Sequence, residues 1–397
     1  MFFNIPSHSG DPILGLLEQF RSDPRPHKVN LGVGMYYDEA GAIPFLASVK
    51  EAERRVVDAA TARVYLPMEG ERAFLEVVAP LIFGAALTDQ LPLATIQTIG
   101  GSGALKIGAD FLHRFFPQKN VWVPSPTWDN HIGIFEGAGF IVKSYPYYDP
   151  ETRKFAGDAM LATLAEASRG DIVLLHPCCH NPTGVDPTKE EWTSILDVLE
   201  AHQLLPFFDM AYQGFGAGQD EDAAPIRTWA ERGRDVLVSL SFSKTFSLYG
   251  ERCGALCIRA GDAESAGNVL AQLKLAVRRN YSSPPTHGMR LISTILNDAE
   301  LRAQWLAEVE AMRVRIRSMR SALAALLRKL QPAHTHDYLE RQTGMFAFTG
   351  LSVHQVARLK DEHAIYAVDS GRICVAALNE GNLPVVAKAI TEVLRST

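Results

Sequence analysis

The chain has 397 residues, 47% of them hydrophobic and 21% charged, with a formal net charge of −6. That length exceeds one compact core and suits a large domain plus a smaller one. The acidic balance leaves no excess of Lys and Arg to neutralise a phosphate backbone, which argues against nucleic acid as a partner. No stretch approaches the ~18 apolar residues of a membrane span.

The start, Met1 to Asp11, lacks a basic segment followed by an apolar one, so no signal peptide is expected. Five cysteines (Cys178, Cys179, Cys253, Cys257 and Cys374) form no even framework. They read as a reduced thiol set of a cytoplasmic protein.

In chain order, the first chemical signal is Gly100-Gly101-Ser102-Gly103, followed by a helical pattern over Ala104–Phe116. Small residues at a helix start leave backbone N–H groups bare, and the helix dipole favours an anion there. The segment is no dinucleotide fingerprint, because Lys106 stands where the third glycine belongs. It is no P-loop and no nucleophile elbow either. Taken alone, it reads more readily as a tight turn before a helix.

An apolar strand over Ile172–His176 runs into His176-Pro-Cys-Cys-His-Asn-Pro-Thr-Gly184. The prolines prevent a helix from presenting both histidines to one ion, so this is a rigid turn rather than a zinc site, and no metal is expected. An amphipathic helix over Glu190–His202 precedes a second strand, Leu204–Asp209. Its terminal aspartate is either a helix N-cap or a carboxylate that holds a cationic ring nitrogen.

A third strand, Val236–Ser241, opens Ser241-Phe-Ser-Lys-Thr-Phe-Ser-Leu-Tyr-Gly-Glu-Arg252. A lysine at a buried strand's end, near apolar walls and another cation, can form a Schiff base. Ser241 and Arg252 would complete a phosphate cradle. A fourth strand covers Ala255–Arg259. The alternation of strands and helices predicts a parallel sheet with helices on both faces.

Arg278 precedes Arg279-Asn-Tyr-Ser-Ser-Pro-Pro285, and Arg372 precedes an apolar strand. Each could clamp a carboxylate, and each alone is as readily a surface ion pair. Between them, Leu301, Trp305, Val309, Met312, Ile316, Met319, Leu323 and Leu327 recur at helical spacing, so one long helix or two nearly continuous ones span 300–330. Its Met and Trp residues read as core. Apolar runs at Met345–Phe348 and Ile373–Ala377 suggest a separate α+β lobe.

Together these segments, with Tyr65-Leu-Pro-Met-Glu-Gly70 and Ala211-Tyr-Gln-Gly-Phe215, resemble the class I (fold type I) aminotransferases over essentially the whole chain. The likeness is greatest to the bacterial aromatic-amino-acid (tyrosine) branch, related to the aspartate aminotransferases. The resemblance implies an α/β fold with a mostly parallel seven-stranded sheet between helices plus a smaller α+β domain. It implies an N-terminal arm over 1–10, a small domain over 11–43 and 312–397, and a large domain over 44–311. The cofactor it implies is pyridoxal 5'-phosphate.

By the same resemblance, Lys244 forms the aldimine, Asp209 pairs with the pyridine nitrogen, and Tyr212 and Asn181 bond the ring's phenolic oxygen. Gly101, Ser102, Ser241, Ser243 and Arg252 hold the phosphate, and Tyr65 reaches it from the partner subunit of a homodimer with shared sites. Trp128 stacks on the ring and helps bind substrate. Arg372 takes the substrate α-carboxylate, with Asn181 and Gly34 nearby, and Arg278 comes from the partner subunit to meet a second carboxylate. His131 and His176 stand behind Asp209.

Where the aspartate branch tends to carry Lys, Thr, Asn, Thr and Asn, this chain has Tyr37, Ile43, Val64, Ser102 and Ser283. Four of these look like the aromatic branch, and Val64 is apolar. Met35 and Val64 depart from that branch's usual leucines. The implied reaction is ping-pong transamination between an aromatic or dicarboxylic amino acid and 2-oxoglutarate. The alternatives are a strict aspartate aminotransferase, a lyase or decarboxylase on the same fold, or a non-catalytic sensor of pyridoxal phosphate. Paired Arg372 and Arg278 argue against the lyase, and no DNA-binding extension accompanies the sensor reading.

Overall fold

The computed structural model describes residues 2–5, 10 and 12–395. Half of the expected N-terminal arm, residues 1 and 6–9, therefore lies outside the described residues. The chain divides into two compact units, one of residues 44–181 and 185–314, the other of residues 1–43, 182–184 and 315–397.

The larger unit is built on seven strands: β1 Leu93–Ile99, β2 Asn120–Ser125, β3 Ile141–Pro146, β4 Ile172–Leu175, β5 Leu205–Met210, β6 Val236–Ser241 and β7 Cys253–Arg259. Their order across the sheet is β1-β7-β6-β5-β4-β2-β3. Neighbours β6, β5, β4, β2 and β3 pair in parallel, whereas β7 runs antiparallel to both β1 and β6. Strands β4, β6 and β7 are buried throughout; β4 is an unbroken Ile-Val-Leu-Leu run, while β6 and β7 also bury serine, cysteine and glycine.

The reversed strand has a geometric consequence. It brings the start of β7 beside the ends of β1 and β6, with Cys253 opposite Ile99 and Gly254 opposite Ser241. The segments that follow β1 and β6 and the residue that precedes β7 therefore share one edge. That closeness leaves no room at Gly254, where a Cβ would lie 2.5 Å from the Gly100 carbonyl carbon and 2.6 Å from the Leu240 oxygen.

Helix α1 (Gly100–Phe115) follows β1, and its core-facing residues join the main apolar cluster with Phe135, Phe207 and Leu256. It starts at the glycines themselves, four residues before the apolar pattern. Helix α2 (Asp129–Glu136) follows β2, and α3 (Lys189–Ala201) opens on a full capping box of Thr188 and Glu191. The periodic segment near the C-terminal third is a single helix, Ala299–Leu330, and the division between the units falls inside it.

The smaller unit is α+β. Val29–Asn30 pairs in parallel with Ile365–Tyr366, and Phe346–Phe348 pairs antiparallel with Arg372–Cys374. Helix Val353–His363 packs against the Ile365–Tyr366 strand and against helix Leu383–Arg395. Buried Arg320 donates to the carbonyls of Gly344 and Phe346, which ties the Phe346 strand to its helix. Among the described residues no helix is long and apolar enough to cross a membrane.

Because both obstacles at Gly254 are backbone, Gly254→Ala should cost about 1–3 kcal/mol or more. A urea midpoint indistinguishable from wild type would contradict this account of the β1–β7–β6 edge.

Candidate active site

Parallel sheets offer their ligand sites beyond the carboxyl ends of the strands, and the chemical groups of this unit gather there. Asp209 is the second-last residue of β5 and its side chain is buried. Its Oδ2 lies 3.1 Å from His131 Nε2, and Ser239 Oγ donates to its Oδ1 at 3.1 Å. Thr127 Oγ1 meets His131 Nδ1 at 2.8 Å. Facing a carboxylate, Nε2 carries the proton, so Nδ1 accepts from the threonine hydroxyl. Burial pushes the Asp209 carboxyl up, but the bond from His131 and the charge of Lys244 bring it below the ordinary carboxylate range.

Behind His131, the rings of His176 and His180 follow at 5.2 and 4.6 Å, and His180 stacks on Tyr147 at 3.7 Å. Burial, reinforced by His131 and opposed by Asp209, drives His176 down to about 3. Burial also holds His180 well below its usual value. Both are neutral imidazoles.

The turn after β4 is fixed by Asp186, whose carboxylate accepts from the backbone N–H of Cys179 at 2.7 Å and of His180 at 2.9 Å. Cys179 is held at φ +53°, and buried Asn181 follows two residues on. Cys178, Cys179 and Asp222 also converge. Asp222 accepts three bonds, from the backbone N–H groups of Gly214, Gly216 and Ala217, and so anchors the loop after Tyr212. All five cysteines are buried and outside any disulfide.

Lys244 lies three residues beyond β6, half-buried, with Nζ 5.1 Å from the centre of the Tyr212 ring. Trp305 holds this loop from below. Its indole N–H donates to the Thr245 carbonyl at 2.9 Å, and its ring stacks on Phe246 at 4.5 Å. Trp305 is core, as its spacing implied, and it also fixes the backbone next to the lysine. Ser247 and Arg252 both adopt left-handed backbone, at φ +52° and +53°, so the loop is kept in a sparsely populated shape by its surroundings.

An anion cradle adjoins the lysine. The first amides of α1, at Gly101 and Ser102, are free of intrahelical partners by their position in the helix. Ser241 and Ser243 hydroxyls lie 3.3 Å apart, and Arg252 Nη1 reaches Ser243 Oγ at 3.5 Å. A Cβ at Gly100 would meet Arg252 Nη2 at 2.8 Å, and one at Gly101 would meet Ser241 Cβ at 3.1 Å. Any side chain there would fill the cradle. Trp128 sits at the start of α2 with its ring 5.1 Å from His131.

Tyr65 is 93% exposed and Arg278 is exposed at the end of its helix, where it bonds Ser282. Gly34 and Arg372 belong to the smaller unit. There Arg372 is buried, donates to the Gly32 carbonyl at 2.7 Å and lies over the Phe346 ring at 4.3 Å. A Cβ on Gly34 would strike that ring at 2.7 Å.

Ser239, Thr127 and Gly254 do not follow from motif reading. For Ser239 the sequence offers only its sharing of a sheet face with Ser241 at period two; its register with Asp209 emerges from the pairing of β5 with β6.

A half-buried lysine, an anion cradle made of small residues and a buried carboxylate beside neutral histidines, all on one sheet edge, define a pyridoxal-phosphate enzyme. The donor set fits that cofactor: an amine for its aldehyde, a carboxylate for its ring nitrogen, and amides, hydroxyls and a guanidinium for its phosphate. The family model for aminotransferase class I and II matches residues 26–390. An aromatic-amino-acid aminotransferase of Escherichia coli (strain K12) is 53% identical, covering 99% of this chain and 100% of the relative. An aspartate aminotransferase of Pseudomonas aeruginosa is 49% identical over 97% of both chains. The crystal structure of an aromatic-amino-acid aminotransferase from Burkholderia pseudomallei, covalently bound to pyridoxal phosphate, superposes with a TM-score of 0.97 at 48% identity, covering 99% of each chain. The chain belongs to the class I and II aminotransferase family; it is a transaminase that uses pyridoxal phosphate.

His176 titrates near 3 when folded and near 6.5 when unfolded. Between those values the native state binds fewer protons, so the stability from a neutral His176 is complete above about pH 6.5 and is lost as pH falls toward 3, at up to ~1.4 kcal/mol per pH unit. Urea midpoints should fall from about pH 6 to about pH 4, and less steeply in His176→Gln. Equal slopes in both proteins would refute this.

Proposed function

We propose that this transaminase takes aromatic L-amino acids as its main donors, also accepts aspartate, and passes the amino group to 2-oxoglutarate. The observation that carries the aromatic preference is the set Tyr37, Ile43, Val64, Ser102 and Ser283. It replaces polar groups by apolar or smaller ones, and apolar wall favours an aromatic side chain by ~25 cal/mol per Å² buried. The high identity to a relative named for aromatic amino acids supports the same reading. The similar identity to an aspartate aminotransferase supports the dicarboxylate activity.

Pyridoxal phosphate supplies the electron sink that makes an amino acid's α-proton acidic. In the proposed scheme, Lys244 Nζ holds the cofactor's aldehyde and, once displaced by the donor, takes the substrate's α-proton. Asp209, an anion kept so by His131, holds the ring nitrogen in its protonated form. Tyr212 and Asn181 bond the phenolic oxygen, and Trp128 lies on the ring. Gly101, Ser102, Ser241, Ser243 and Arg252 bind the phosphate.

Arg372 is proposed to receive the α-carboxylate, near Gly34 and Asn181. Its guanidinium is already oriented by the Gly32 carbonyl and the Phe346 ring. Tyr65 and Arg278 are proposed to serve the site of a second subunit in a homodimer. Their exposure suits that role, as does the exposure of Phe2, Phe3 and Ile5 near the chain start. Five buried thiols outside any disulfide suit a reducing cytoplasm. The domain division proposed is an arm over 1–10, a small domain over 11–43 and 312–397, and a large domain over 44–311.

Borohydride reduction of the yellow holoenzyme followed by peptide mapping should place the pyridoxyl label on Lys244. A label elsewhere would remove the assignment. Arg278→Leu should lower kcat/KM for aspartate roughly 10²-fold or more, the scale of a lost buried charge pair, while phenylalanine kinetics change far less. Equal damage to both substrates would count against Arg278 as the clamp for the second carboxylate.

A further inference from the structure

We infer that Ser239 is a positioning residue for transamination, acting through Asp209; this rests on Asp209 holding the cofactor's ring nitrogen. Ser239 lies on β6, fully buried, and pairs in register with Asp209 on β5. Neighbouring residues on parallel strands point to the same face, so hydroxyl and carboxylate meet without either strand bending. Ser239 Oγ sits 3.1 Å from Asp209 Oδ1 and 3.2 Å from the Gly101 carbonyl.

A serine hydroxyl has one proton and must choose between these acceptors. The Gly101 carbonyl, in the first turn of α1, already accepts a helical N–H four residues on. The carboxylate is charged and is the stronger acceptor. Its Oδ2 is taken by His131, and among the described residues Oδ1 has no donor other than Ser239. The hydroxyl therefore donates to Asp209.

Two consequences follow. With one donor on each oxygen, the carboxylate plane is fixed from β6 and from α2 at once. Each donor also lowers the proton affinity of the carboxylate, so a proton on the ring nitrogen stays there instead of passing to Asp209. Without Ser239 the carboxylate is freer to rotate, is a stronger base and takes a larger share of that proton.

The test uses holoenzyme reconstituted with pyridoxal phosphate labelled with ¹⁵N in the ring, comparing wild type, Ser239→Ala and Ser239→Cys, the last keeping the volume but donating weakly. In Ser239→Ala the ring ¹⁵N resonance should move toward its unprotonated position. The same variant should lose ~10- to 100-fold in kcat, the scale of one buried bond to a charged group, with donor KM within about 2-fold. Ser239→Cys should fall between and carries the test should the alanine variant not fold. An unmoved resonance in the variants, beside a protonated ring in wild type, would assign the hydroxyl to the Gly101 carbonyl and overturn the inference alone. An unprotonated ring in wild type would instead overturn the role of Asp209 on which it rests.

Discussion

A carboxylate buried in a protein interior must be compensated, because taking it out of water costs several kcal/mol even after relaxation. Asp209 is such a group, and much of the larger unit is arranged around it. Its two oxygens accept from His131 and Ser239, and His131 is in turn oriented by Thr127. These are dipolar partners. They keep the anion without cancelling it, which leaves its charge available to a cationic ring. Asp209 and Ser239 sit opposite each other because β5 and β6 are parallel and in register, and His131 arrives because α2 begins where β2 ends.

The same edge is proposed to accept a phosphate dianion as well, which asks for the opposite electrostatics a short distance away. The antiparallel β7 resolves this. By running against its neighbours it returns Arg252 to the edge where β1 releases into α1, so a guanidinium and the bare amides of a helix start share one place. The arrangement requires backbones to pass closely, and glycines stand where they do. Gly100, Gly101 and Gly254 each occupy space that a methyl group would have to share with Arg252, Ser241 or main chain. Their value is the volume they leave empty, with conformational freedom mattering chiefly at Gly100, whose φ is +66°.

How much of this could be read from the chain depends on whether the cause is local. Lys244 and its serines form a continuous motif after an apolar strand, and the four expected strands lie within two residues of their observed limits. The anion cradle was legible in composition, although the helix begins at Gly100 and not at Ala104, since glycines look like a turn unless the amides they bare are themselves the purpose. Trp305 was legible as core but not as the donor to Thr245, because its partner is sixty residues away in sequence. Ser239 was hidden for the same reason: a serine in an apolar strand has meaning only once the neighbouring strand is known to carry Asp209.

The histidines behind Asp209 show why neutrality matters as much as charge. Were His176 protonated, an imidazolium would stand within the same buried cluster and neutralise Asp209 from behind, leaving little net anion to face a ring nitrogen. Burial forbids this by placing His176 far below physiological pH. His180, stacked on Tyr147 and meeting His176 edge to face, is forbidden the same way. The cluster thus supplies oriented N–H groups and polarisable rings but no competing cation. Removing water from the stack fixes the sign of the field at the sheet edge, so the apolar packing around β4 is itself part of the site's electrostatics.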